Sequence, residues 1–492
     1  GRVADGQRLY IDIMETNPPL IVWLYLIPVW IGNFLGISVF SVFPFLVTLL
    51  NILSLYLIAK TMKRQELLGD RSIFYVLLLY IAFGFFLLSP AVYGQRELLF
   101  ITLVLPYLIK THGDDEEERF SISGFVIIVM AAIGFAIKPF FMLLWGMNEL
   151  HNAVQKRSIS PIFSFRNWVI GFFQLAYLLA IYYFTPEYIT TIVPTVLITY
   201  FTYEVSWYAV GKIILTVLLV PIILVFIAKP HGDFKKIITR VMVWTLSAAM
   251  LVVLQRKDWL NHLYPMVFMA GLLIAILLVY LMRIWRELGL LIGYRRFTAI
   301  CTVIVTLLSV IYVDAKFWYF IYEKPLLIHK KLLVEIDKQA TGKYVYPLAY
   351  NLQSGFPVIS LSKGIFRGSF HHLWPLTGLL IREQQEVKTP ELKQARQFFY
   401  DTIVRDFSNF PPDLVWVDDN VNMAEVAGYA IEAENRDIIA VLRRDVRFAV
   451  MWNDNYEKIG EIEGEISEEE ELVDGEEKRQ PERYSLYKRI IK

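Results

Sequence analysis

A single cysteine, Cys301, stands in 492 residues, which excludes a disulfide framework and a cysteine metal site. Charge is also scarce. Only 19% of residues are Asp, Glu, Lys or Arg, where an ordinary soluble domain has about 25%. The 48 basic and 47 acidic residues nearly cancel to a net +1, so no basic field points to nucleic acid as a partner. The start of the chain lacks the charged, apolar and small-residue order of a signal peptide. What is abundant is apolar surface: 56% of residues are hydrophobic and the mean hydropathy is +0.47. That excess lies in long runs, the mark of a polytopic membrane protein.

The stretch YIDIMETNPPLIVWL, residues 10–24, sets acids, an asparagine and a double proline against the first apolar run. Residues 1–37 read as the end of an outer loop and a juxtamembrane segment. Residues 38–314 read as a transmembrane helical domain, and 315–492 as an α/β domain. After a run to about residue 36, broken by Pro28 and Gly32, spans are expected from residue 38 to 60. Others are expected at 72–93, 97–110, 121–137, 139–150, 167–185, 210–228, 237–254, 264–282 and 297–313. The total is about ten, each near the ~20 apolar residues that cross a bilayer core. Lys60, Lys63, Arg64 and Arg71, then Lys156, Arg157 and Arg166, then Lys229, Lys235, Lys236 and Arg240, and finally Arg283, Arg286, Arg295 and Arg296 mark loops that share one side when the spans alternate as given. Cytoplasmic loops collect such residues, so the other side faces outward and carries the opening stretch and the C-terminal domain. In that domain KYVYPLAY, FPVISLS, DLVWVDD and RYSLYKRI read as strands and ELKQARQFFYDTIVRDF as an amphipathic helix. NRDIIAVLRRDVRFAVMW reads as a helix-to-strand passage. The acidic run EIEGEISEEEELVDGEEKRQPE reads as a solvated insertion.

The outward loops gather polar groups at span ends: Asp12, Glu15 and Asn17; Arg96 and Glu97; Lys138; Lys257 and His262. Loop charges and snorkelling cations are ordinary near headgroups, yet ionisable groups at span ends are also where membrane proteins place their sites. Cations suit a lipid-anchored phosphate, with Arg as a bidentate clamp and Lys as a point charge. A carboxylate beside them suits a general base on a hydroxyl, or a ligand to a divalent metal ion. Adjacent His371 and His372 point apart on a strand and suit a groove wall better than a shared metal.

At these residues the chain resembles the GT-C-type integral-membrane glycosyltransferases, among them the protein O-mannosyltransferases and the aminoarabinose transferases of lipid A. The family pattern Tyr-x-Asp-x-x-Glu-x-x-Pro-Pro-Leu-x-x-Trp-Leu is matched by Tyr10, Asp12, Glu15, Pro18, Pro19, Leu20, Trp23 and Leu24. GQRELLF is similar to the second outer loop and brings Arg96 and Glu97. GFAIKPFF is similar to a later Lys-Pro stretch and brings Lys138. QRKDWLNHLYP is similar to a Lys-x-Trp-x-x-His loop and brings Lys257, Trp259 and His262. The family carries its principal acid upstream of the tyrosine. The expectation is therefore that one span and that acid lie outside this chain, Asp5 being too close to the motif.

The resemblance implies a multi-pass enzyme of a bacterial inner (plasma) membrane with a periplasmic or extracellular C-terminal domain. It would be an inverting hexosyl- or pentosyl-transferase. It would move a sugar from a polyprenyl-phosphate donor to a lipid or polysaccharide acceptor, with no nucleic acid as partner. Asp12, Glu15 and Glu97 take the catalytic roles; Tyr10, Asn17, Arg96, Lys138, Lys257, Trp259 and His262 bind substrate. A divalent metal ion is the one cofactor considered, without assigned ligands. A transporter or flippase for a lipid-linked anion, or a non-catalytic assembly subunit for envelope glycoconjugates, uses the same cations in other ways.

Overall fold

The computed structural model describes residues 1–65, 68, 71–88, 92–111, 121–287, 324–350, 352, 354–356, 358–419, 425–426, 429–430, 435, 437–463 and 483–490. The expected span at 297–313, the acidic loop at 112–120 and most of the acidic insertion fall outside them. The chain divides into two compact units. One holds 17–184 and 205–318; the other holds 2–16, 185–204 and 319–492. The opening motif is thus shared: Tyr10, Asp12 and Glu15 fold with the C-terminal residues, and Asn17 with the helices.

The first unit is mostly helical. Pro18 and Pro19 start α1 (Pro19–Leu35), since proline at the first position loses no bond, and Gly36 ends it at φ 66°. Ser38 caps α2 (Val39–Lys63), whose last turn carries Lys60 and Lys63. Next come α3 (Arg71–Phe86), α4 (Arg96–Lys110), α5 (Ile122–Ala136), α6 (Met142–Lys156) and α7 (Phe165–Phe184). Helix α8 (Val193–Thr199) belongs to the second unit. The first resumes with α9 (Trp207–Ala228), α10 (Gly232–Gln255) and α11 (Leu260–Glu287). Helix α4 is the hub, buried at every residue from Glu97 to Ile109 and packed on α2, α5 and α11. Glycines let α3 and α11 close on each other: a Cβ on Gly84 would meet the Phe268 ring at 2.2 Å. There the Tyr264 hydroxyl donates to the Gly84 carbonyl at 2.9 Å.

Among the described residues α2, α7, α9, α10 and α11 are long and apolar enough to cross a membrane. Only 17% of the apolar stretch is buried in each of α7 and α9. Apolar helices so little covered by protein match a hydrocarbon surround rather than water. The expected count of about ten spans is not reached among the described residues. Helices α4, α5 and α6 have 15 residues each, about 22 Å of rise against a ~30 Å hydrocarbon core.

The second unit is built on a sheet of β1 (Tyr344–Leu348), β2 (Ile365–Phe366), β3 (Leu414–Asp418), β6 (Tyr456–Glu463) and β7 (Arg483–Arg489). A two-stranded ribbon, β4 (Glu425–Val426) and β5 (Tyr429–Ala430), stands apart. The order is β2-β1-β3-β7-β6, with β1 parallel to β2 and β3, and β7 antiparallel to β3 and β6. The alternation along β1 sorts its faces. Val345 packs with Leu332 and Ile336 of α12 (Lys324–Ala340), while Tyr346 meets Phe407 of α15 (Pro390–Asn409) at 5.0 Å. The remaining helices are α13 (Val358–Leu361), α14 (Trp374–Gln384), α16 (Ile438–Leu442) and α17 (Val446–Asn455). The expected strand FPVISLS is instead α13. A short apolar run reads equally as strand or buried helix, and here Ser362 N–H bonds Val358 O at 2.9 Å.

Helices α8 and α14 cross so closely that a Cβ on Gly378 would lie 2.2 Å from the Thr199 carbonyl oxygen. Because the obstacle is backbone, Gly378→Ala is expected to lower stability by about 1–3 kcal/mol. Gly460→Ala, with open space around it, is expected to stay within about 0.5 kcal/mol of wild type. Thermal unfolding of the full chain and both variants checks this.

Candidate functional site

In the helical unit the sequence brings cations to the start of α4. Arg96 and Glu97 open that helix, where an acid complements the helix dipole. Lys138 lies beyond the end of α5 and precedes Pro139. A residue before proline is driven out of helical geometry, and Lys138 accordingly sits extended at φ −139°, ψ 138°. The break in the helix turns its side chain inward, where its ammonium donates to Glu97 Oε1. Glu97 is 1% exposed and Lys138 7%, so this is a buried pair, whose members tolerate each other's burial far better than either alone.

The link between α10 and α11 completes the cluster. Arg256 ends α10 at φ 46°. Its guanidinium lies 4.3 Å from the Trp207 ring centroid and donates to Val205 O at 3.0 Å. The link so fixed carries Lys257, 2% exposed, with its ammonium 5.4 Å from the centroid of the Trp259 ring. Trp259 packs edge-on to His262 at 5.4 Å in the first turn of α11. His262 lies within electrostatic reach of Lys138, Glu97, Arg96 and Lys257. Segments from positions 96 to 262 thus converge on one carboxylate, with Lys138, Arg96 and His262 within its electrostatic reach. Glu97 Oε2 and His262 Nδ1 are buried and have no hydrogen-bond partner among the described residues. A buried polar atom left so costs free energy, and both suit a polar group of a ligand or an ordered water.

Tyr10, Asp12 and Glu15 belong to the second unit, and sequence reading missed what holds them there. Tyr10 is buried at φ 67°, its ring tilted against that of Tyr188 at 5.1 Å, a strained conformation that persists only where its surroundings fix it. Arg405 donates to Ile11 O at 2.7 Å and to Ser369 Oγ at 2.8 Å. Arg2 donates to Asp12 O at 3.0 Å, and Met14 N–H to Ser369 O at 2.9 Å. Behind them, Asp406 accepts from Ser369 N at 2.5 Å, Ser369 Oγ at 2.6 Å and the Tyr346 hydroxyl at 3.0 Å. Asp12 itself accepts from Arg8 N at 2.8 Å and closes a local turn. Glu15 faces His371 electrostatically. No local pattern marks Arg405, Asp406 or Ser369, because Arg405 lies 394 positions from the Ile11 carbonyl it holds, and Ser369 and Asp406 pair across 37 positions. Asn17, in the helical unit, directly precedes the prolines that start α1.

Among the described residues no group of three or more His, Cys, Asp and Glu side chains forms a metal-binding set. Comparison of the chain with protein-family models, with curated proteins and with solved structures finds no match.

The buried pair gives a stability prediction. Lys138→Met strands the Glu97 charge and is expected to cost about 3–5 kcal/mol, while Glu97→Gln with Lys138→Met recovers most of it. Thermal stability of the detergent-solubilised full chain reads both.

The second unit gives a pH prediction. Burial pushes the His371 imidazole below its ordinary pKa, Glu15 pulling up and Arg2 pushing further down. Burial and then His371 push His372 well below. The unfolded histidines take up protons as pH falls through about 6.5, while the folded ones do not until lower pH. Stability is therefore present above about pH 6.5 and falls on acidification. Burial raises the Asp406 carboxyl, which acts in the opposite sense, so His372→Gln isolates the imidazole contribution. The urea midpoint of this unit, read by pulse proteolysis of the full chain, is expected to drop between about pH 7.5 and 5.5. The drop should be smaller in the variant.

Proposed function

We propose that the chain is a membrane glycosyltransferase of GT-C type. In this reading the cations of the helical unit hold the phosphate of a polyprenyl-phosphate-linked sugar, and the sugar passes to a lipid or polysaccharide acceptor. The observation that carries it is the gathering of Lys138, Arg96 and His262 about Glu97, with Lys257 within electrostatic reach of His262. These are the positions that the resemblance of the sequence had marked, drawn from three separate segments. Cations at a departing phosphate stabilise the charge that develops as the glycosidic bond breaks. Burial strengthens them, because solvent screens them less. Tyr10, Asp12 and Glu15 of the opening motif are assigned to the acceptor, with a carboxylate taking the proton of the attacking hydroxyl. The multi-pass arrangement, the placement in a bacterial inner membrane and the outward C-terminal domain belong to the same reading. They rest on the apolar helices and on the basic residues clustered in the loops.

Lys138 and Glu97 depend on each other, so Arg96 is the cleaner probe. In nanodiscs containing a synthetic polyprenyl-phosphoryl hexose or pentose, the full chain is expected to transfer or hydrolyse the sugar. Arg96→Ala is expected to lower that rate at least about 100-fold, the loss from removing one transition-state donor, with helical circular dichroism unchanged. An unaffected variant overturns the phosphate role of Arg96. Movement of the lipid across a vesicle bilayer without bond cleavage would point to the transporter reading instead.

A further inference from the structure

A helix on a water-exposed surface buries its apolar face and shows its polar one. Helix α6 does the reverse. Asn148, Glu149, His151 and Asn152 are buried, while Leu150 and Val154 are 52% and 67% exposed. On the buried face the Glu149 carboxylate is fully engaged, accepting from the Tyr107 hydroxyl at 2.9 Å, Asn148 at 2.8 Å, Asn167 at 3.0 Å and Arg166 at 3.3 Å. It holds α6 against α4 and α7, so the apolar side is the one left outward. An inside-out helix is stable where hydrocarbon replaces water. Its 15 residues, about 22 Å, are too short to span, so one end stops near the headgroup level.

The basic pair at the C-terminus of α6 identifies that end. Lys156 and Arg157 are exposed in its last turn and cap, and Arg157 turns the chain at φ 47°. Beyond them Ile159 and Phe163 are 68% and 60% exposed, and Trp168 of α7 is 66% exposed. Bulky apolar side chains on both sides of a basic pair form the pattern of a surface-seated membrane anchor. In the same stretch Arg166 Nε and Ser164 Oγ are buried without a hydrogen-bond partner among the described residues, two donors suited to a phosphate oxygen. We propose that the segment from α6 to the start of α7 is a seat for anionic phospholipid. Its apolar side chains enter the acyl boundary, while Lys156, Arg157 and Arg166 meet the headgroup phosphates. This seat is built on residues separate from the cluster at Glu97 and does not depend on the transferase reading.

The single cysteine makes the test direct. In the full chain carrying Cys301→Ser and Ile162→Cys, an NBD label at 162 is read in nanodiscs of phosphatidylcholine with phosphatidylglycerol. Either lipid is supplied in turn with a doxyl quencher. Doxyl-phosphatidylglycerol is expected to quench about threefold more than doxyl-phosphatidylcholine at low salt, the preference fading as salt screens it. Lys156→Glu with Arg157→Glu is expected to bring the two lipids level. No quenching by either lipid means that the segment faces water and overturns the proposal. So does equal quenching in the parent protein, or a preference that survives the charge reversal.

Discussion

A carboxylate taken out of water among apolar helices is tolerated only with a partner. Glu97, at the head of α4, has Lys138. The arrangement of the helical unit depends on keeping that pair together. Helix α5 must end where it does, Pro139 must hold Lys138 out of helical geometry, and α4 must be covered along its length. The same helix carries the Tyr107 hydroxyl ten residues on, where it donates to Glu149. One buried helix is thus pinned near both ends by a carboxylate, with apolar packing between. At the Glu97 end the neighbours are cations and atoms with unfilled hydrogen-bond capacity. At the Glu149 end the carboxylate is saturated by amides, a hydroxyl and Arg166. That contrast separates the two carboxylates: the Glu149 oxygens are filled from within the chain, whereas Glu97 Oε2 has no hydrogen-bond partner among the described residues.

In the second unit the corresponding constraint is Asp406. It gathers Ser369 and Tyr346, and through Ser369 and Arg405 it fixes the backbone around the opening acids. The motif has almost no regular structure of its own, and Tyr10 adopts a backbone conformation that a tyrosine rarely holds unaided. Its order comes from a distant helix, as the 394-position separation of Ile11 and Arg405 records. A segment that carries charged side chains on a fixed backbone is better suited to chemistry than the same side chains on a free loop.

Much of this was legible in the sequence, for identifiable reasons. Strands β1, β3 and β7 and helix α15 are set by local alternation and helical spacing, and α1 starts at the prolines as the pattern demands. Helices α2, α7, α9, α10 and α11 announced themselves by length. The count of about ten spans misled because a hydropathy run reports composition and not the cap or proline that ends a helix, and α6 conceals its polar face inside. The grouping of Arg96, Glu97, Lys138 and His262 was foreseen through resemblance rather than spacing. Their mutual burial and the short Lys138 contact were not. The clamp of Arg2, Ser369, Arg405 and Asp406 on the motif left no trace, since each is an ordinary surface residue until the fold brings them together.

The central claim is that the cluster around Glu97 recognises a lipid-borne phosphate. Its most direct test is the affinity of the full chain, in nanodiscs, for decaprenyl phosphate against decaprenol, which differ only in that group. Desolvated cations predict that the phosphate binds at least about 100-fold tighter, a difference of about 2.8 kcal/mol. Equal affinities would contradict the account.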